Sequence, residues 1–64
     1  MNDTELFNAA LEAAGGRISW LADRCKVSNV TAHTWKNIAE GTIPKQLTRY
    51  ARIKLHSILP RQEL

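Results

Sequence analysis

The sequence predicts a compact all-α domain of four or five helices, on three observations. Apolar residues recur three and four positions apart in successive segments, glycine and proline punctuate the chain between them, and no segment reads as a strand. The run 21–36, LADRCKVSNVTAHTWK, is the most informative: it has the spacing of two short helices joined by a tight turn, the arrangement of a DNA-reading helix-turn-helix.

The first helix opens at Asn2-Asp3-Thr4-Glu5, where an Asn side chain and a Glu three residues later can satisfy each other's free backbone donors. Leu6, Ala10, Leu11 and Ala14 then recur at helical spacing, and Gly15-Gly16 ends the element because glycine accepts the left-handed conformation that a helix terminus often needs. The second helix is expected from about Ile18 to Cys25, with Ile18, Leu21, Ala22 and Cys25 turned inward and the turn at Lys26-Val27. Ser28 is a favourable N-cap for the third helix, which Gly41 stops. Ile43 folds back into the core and Pro44 suits the first turn of a fourth helix. In that last segment Leu47, Tyr50, Ala51, Leu55 and Ile58 form a stripe, with Lys45, Arg49, Arg52 and His56 opposite. Ile53 falls outside the stripe and Lys54 inside it, so a bend near residue 53 with a separate short helix beyond it is expected, and Pro60 ends the ordered part.

The third helix can be sorted by face, since each residue advances the direction by about 100°. Taking Asn29 as zero, Thr31, Ala32, Trp35, Ile38 and Ala39 fall on one side, and Asn29, Val30, His33, Thr34 and Asn37 on the other. The first group is mostly apolar and is anchored by a large aromatic. The second is polar, short and uncharged apart from one titratable imidazole, whereas a merely solvated face usually carries Lys and Glu. Asn bonds an adenine edge in two places, a Thr hydroxyl donates or accepts, and valine methyls suit a thymine methyl. The outer face therefore reads as one that touches bases.

Length and charge bound the rest. Sixty-four residues make one domain, with the motif over about 18–39 and a flexible tail from about 60. A chain of this size buries only about 60% of the surface its unfolded form exposes, so dimerisation or DNA binding would add needed stability. The first sixteen residues hold Asp3, Glu5 and Glu12 with no basic residue, whereas from Arg17 to Arg61 nine Lys or Arg stand against Asp23 and Glu40. That split gives an acidic flank and a surface suited to a polyanion. A membrane surface is a poorer partner, because the amphipathic segments lack the long Lys-rich face with bulky aromatics opposite that interfacial helices show. A single Cys25 excludes an intramolecular disulfide, no apolar run approaches the roughly 20 residues that span a bilayer, and no signal peptide is visible. These features predict a soluble protein of a reducing, cytoplasmic compartment.

The same run resembles the helix-turn-helix of small phage repressors, the Cro and lambda-repressor-like family, especially its short Cro-like and YdaS-like members. Leu21-Ala22, Val27-Ser28, Thr31, Ala32 and Trp35-Lys36 carry the likeness, with Gly15-Gly16 before and Gly41-Thr42-Ile43-Pro44 after. It spans about residues 5–55. The resemblance implies a lambda-repressor-like fold, a bacterial host cell, and base contacts from Ser28, Asn29, Val30, His33 and Thr34. It also implies that Ala22 is the small residue permitting close helix approach. The family usually has glycine where this chain has Lys26, and a non-glycine residue at positive φ carries roughly 1 kcal/mol of strain.

Arg17, Lys26 and Lys36 flank the proposed reading surface as phosphate contacts, joined by Trp20, Thr31 and Asn37. Trp20 offers its indole N–H to a phosphate or packs at a dimer contact, against the plainer reading of a partly exposed aromatic. His33 bonds a base edge or a phosphate, while Glu40 and His56 read as surface, Trp35 as core and Cys25 as a small buried apolar residue. One cysteine and two histidines on separate helices make no zinc site, and no cofactor is expected. The expected function is a sequence-specific repressor that binds a palindromic double-stranded DNA operator as a homodimer, weak without DNA, with no small-molecule substrate. The alternatives are an antitoxin-like or excision-type accessory factor and, in a different class, a small helical adaptor for another protein. An enzyme is least expected, as no carboxylate pair, nucleophile with an adjacent base, or phosphate-cradling glycine loop is present.

Overall fold

In the computed structural model, which describes residues 2–59, four helices follow one another: α1 (Asp3–Ala13), α2 (Ile18–Cys25), α3 (Asn29–Glu40) and α4 (Arg49–Ser57). No strand occurs among the described residues. Each boundary has a local cause. At α1 the Glu5 amide donates to Asn2 Oδ1 at 2.8 Å and the Asn2 amide to Glu5 Oε1 at 3.3 Å, the reciprocal cap expected from the sequence. Its other end closes when the Gly16 amide donates to the Leu11 carbonyl at 2.8 Å, with Gly15 and Gly16 both at positive φ.

Ser28 caps α3, its Oγ accepting from the Thr31 amide at 3.2 Å, and Gly41 ends that helix in the left-handed region at φ 84°. The connection between α2 and α3 is three residues long, 26–28, and Lys26 sits there at φ 59°, ψ 44°. Lys26 is the one non-glycine residue at positive φ among those described. The turn thus takes a left-handed conformation that glycine adopts without strain.

The core gathers one face of every helix. Leu6, Phe7, Ala10 and Ala14 from the first helical segment meet Leu21 and Cys25 of α2, Trp35 and Ala39 of α3, and Leu47, Ala51 and Leu55 from the last. Ala22 and Ala32, small residues on α2 and α3, are also buried. Helix α1 packs against both α3 and α4, and α2 packs closely on α3. Phe7 was not expected in this set, although it sits three residues before Ala10 and seven before Ala14, the spacing of one helix face. Leu11 is half-buried at the core's edge.

Three expectations about the C-terminal part are corrected. Helix α4 starts at Arg49 rather than near Pro44, because Thr48 Oγ1 caps it by accepting from the Ala51 amide at 3.2 Å. The segment before it is neither helix nor strand and is tied down by a long-range bond, the Leu47 amide donating to Asp3 Oδ2 at 2.9 Å. The second correction is Tyr50, placed in the inward stripe by spacing but 57% exposed. Leu47, Ala51, Leu55 and Ile58 make the inward line, and Tyr50 stands one residue, about 100°, to its side. Third, α4 runs unbroken through residue 53: Ile53 is simply exposed, and half-buried Lys54 lays its ammonium 5.4 Å from the centre of the Tyr50 ring. Pro60 and the expected flexible tail lie outside the described residues.

Polar ties connect the helices where the core is thin. Thr4 Oγ1 donates to the Ala39 carbonyl at 2.6 Å, and Asp3, already bonded to Leu47, also lies 3.6 Å from Arg52 Nη1. Cys25 is buried and its thiol points to the Lys54 carbonyl at 3.8 Å. Burial pushes its pKa up, opposed by the nearby Lys54 charge, so it packs as a neutral apolar group at physiological pH. No helix is long and apolar enough to cross a membrane among the described residues.

Trp35, 5% exposed, is the largest side chain that α3 contributes to the core. Trp35→Ala is expected to lower stability by about 3 to 5 kcal/mol, enough to unfold so small a domain. A cooperative thermal melt close to that of the parent would contradict this.

Candidate nucleic-acid interface

The candidate surface is the outward face of α3. Burial of Ala32, Trp35 and Ala39, with Thr31 and Ile38 half-buried beside them, fixes which side of the helix looks inward. Asn29, Val30, His33 and Thr34 then look outward and all are exposed, as is Ser28 just before the helix. Val30 is 76% exposed, the most exposed large apolar side chain among the described residues. Asn37, the last member of the expected outer group, is half-buried, and its backbone carbonyl accepts from Thr42 at 2.9 Å and Ile43 at 3.3 Å.

Several of these side chains already have bonds that set what they can still offer. Thr34 Oγ1 donates back to the Val30 carbonyl at 3.0 Å, which leaves its lone pairs and methyl group facing outward. Ser28 Oγ accepts from the Thr31 amide and lies 3.2 Å from Thr31 Oγ1. These two hydroxyls hold each other and the cap in place. Asn29 and His33 make no side-chain hydrogen bond within the described residues.

Of the expected phosphate contacts, the two lysines beside α3 differ. Lys26 is exposed at the α2–α3 connection. Lys36, by contrast, is half-buried along α3 and pairs with Glu40 one turn later, Nζ to Oε2 at 3.4 Å. That exposed pair is worth little energetically, but it neutralises the lysine at rest. Lys and Glu stand four apart, the spacing that produces such pairs.

Arg17 and Trp20 form a unit at the start of α2. The guanidinium lies 5.1 Å from the indole centroid, a stacking that orients both. The indole also lies against Gly15: a Cβ there would overlap Trp20 Cε3 and come within 2.6 Å of Cζ3. Gly15 therefore serves twice, accepting φ 107° and leaving room for the ring. Trp20 stays 49% exposed. No sequence pattern links residues 15 and 20, so this contact could not have been foreseen. Arg17 is the N-cap of α2 and makes no side-chain cap bond.

Elsewhere the surface offers less chemistry. An open cleft of about 450 Å³ is lined by Asn2, Asp3, Thr4, Gln46 and Arg52, but the Asn2, Asp3 and Thr4 oxygens are engaged in the helix cap and the interhelical ties described above. Among the described residues no three His, Cys, Asp or Glu side chains come together in a way that would hold a metal ion.

The left-handed Lys26 gives a direct check on the turn. Replacing it by glycine is expected to raise stability by about 1 kcal/mol, by removing the Cβ penalty of that conformation. Denaturant unfolding measures this, and an unchanged or lower midpoint would mean the turn is not left-handed in solution.

No protein-family model, curated protein or solved structure matches the chain.

Proposed function

We propose that this protein is a sequence-specific double-stranded DNA-binding repressor of the small phage Cro type, with α3 entering the major groove and α2 lying across the backbone. The observation that carries this reading is the outward face of α3. Asn29, Val30, His33 and Thr34 are exposed, short and free of fixed charge, on a helix held rigidly from behind by Trp35. A helix of this diameter fits the major groove, and these residue types match the hydrogen-bonding and methyl groups that base edges display there.

The surroundings support the same reading. Lys26 at the connection and the stacked Arg17–Trp20 unit supply cationic and N–H groups for phosphates, which position a protein on the duplex without reading sequence. One α3 covers only a few base pairs, so useful specificity calls for two copies on a palindromic operator with half-sites about 34 Å apart. Helix α4 offers a contact for the second copy: Tyr50 and Ile53, three residues apart, are 57% and 58% exposed. An adaptor that holds another protein through α3 would place several apolar anchors along that helix, where Val30 stands alone among Asn29, His33 and Thr34.

Asn29→Ala and His33→Ala each leave the core untouched. Both variants are expected to melt like the parent while losing about 1 to 3 kcal/mol of binding to a preferred duplex, with little change on unrelated DNA. Fluorescence anisotropy against both duplexes measures the difference. Unchanged selectivity in both variants would remove α3 as the reading element.

A further inference from the structure

We propose that the base pairs read by the first turns of α3 are A·T pairs, and that Val30 recognises a thymine by its C5-methyl group. This inference rests on the DNA-binding reading above and goes further, to the class of base pair that the face can distinguish. Three observations carry it.

The first is what the face lacks. Reading guanine through its O6 and N7 acceptors takes two donors on one side chain, which arginine or lysine supplies. Helix α3 carries no arginine, and its one lysine, Lys36, stands about two turns beyond Asn29, past the first turns that this proposal concerns. The second is what the exposed groups can still do. Asn29 pairs one donor with one acceptor, the match for adenine N6 and N7. With its hydroxyl proton on the Val30 carbonyl at 3.0 Å, Thr34 presents lone pairs outward, which suit a base donor such as adenine N6. A neutral His33 has one N–H, which suits a purine N7 and does not tell adenine from guanine.

The third observation is Val30 itself. Its branched side chain is 76% exposed at the second position of α3, between Asn29 and Thr31. In a groove otherwise lined with polar base edges, the thymine methyl is the one apolar group available to meet it.

Selection of bound duplexes from a random pool by the full chain, followed by replacement of each selected thymine with uracil, tests the proposal. Uracil keeps the Watson–Crick edge and loses only the C5-methyl. The expected result is A·T pairs at the centre of each half-site, and one thymine per half-site whose replacement weakens binding by about fourfold, the value of one buried methyl group. Val30→Ala, at an exposed helical position, should melt like the parent, lose a comparable factor on the thymine duplex, and show no further loss on the uracil duplex. Guanine-centred half-sites, indifference to uracil at every thymine, or a full additional uracil effect in Val30→Ala would overturn the assignment while sequence-specific binding stands. A pool that yields no preferred sequence would overturn both this inference and the function on which it rests.

Discussion

The burial of one indole organises this molecule. Trp35 is 5% exposed in a core otherwise built from alanines, leucines, one phenylalanine and one cysteine, so its placement decides the rotation of α3 about its own axis. A helix turned by even one residue position would expose the ring or bury Asn29 and His33, and either change is expensive: an aromatic returned to water on one side, unpaired polar groups on the other. With the rotation fixed, the direction of every outward residue on α3 follows. The functional reading therefore depends on a packing decision made on the opposite face of the same helix.

A core of this size leaves limited stability in reserve, and the short polar ties between elements matter accordingly. Asp3 is the clearest case. It begins α1, accepts the Leu47 amide and faces Arg52, so a single carboxylate fastens the start of the chain to the approach to α4. The acidic N-terminal flank thus has a structural use alongside any effect on the overall field, because one of its three carboxylates is turned inward. Lys26 shows the opposite situation: a left-handed residue where glycine would fit with less strain, keeping a cation at the α2–α3 connection.

What could be read from the chain was what short-range chemistry determines. The reciprocal cap of Asn2 and Glu5, the Ser28 cap, the glycine stops at 15–16 and 41, and the inward set of Ala32, Trp35 and Ala39 all depend on residues within a turn or two of one another. The outward set of α3, apart from half-buried Asn37, was legible for the same reason, since it is the complement of the buried stripe. Failures came where distant residues intervene. Pro44 suggested a helix start, yet α4 begins only at Arg49, after the Leu47 amide is taken by Asp3, more than forty residues earlier, and Thr48 supplies the cap. Tyr50 joined a stripe by spacing but lies just outside the arc that α1 covers, and the Gly15–Trp20 contact exists only once the turn between α1 and α2 has formed. Lys36–Glu40 and the Thr34 back-bond were local and could have been anticipated; both narrow what the face can donate, which spacing alone does not reveal.

If the rotation of α3 set by Trp35 is what creates the reading face, bound DNA must be felt there first. Backbone amide shifts of the isotope-labelled chain, followed while a preferred duplex is added, measure this residue by residue. The account predicts the largest changes across residues 28–34, and little change at Asn8 and Glu12 on the exposed side of α1. Changes centred on α1 or α4, with Asn29, Val30 and His33 undisturbed, would contradict it.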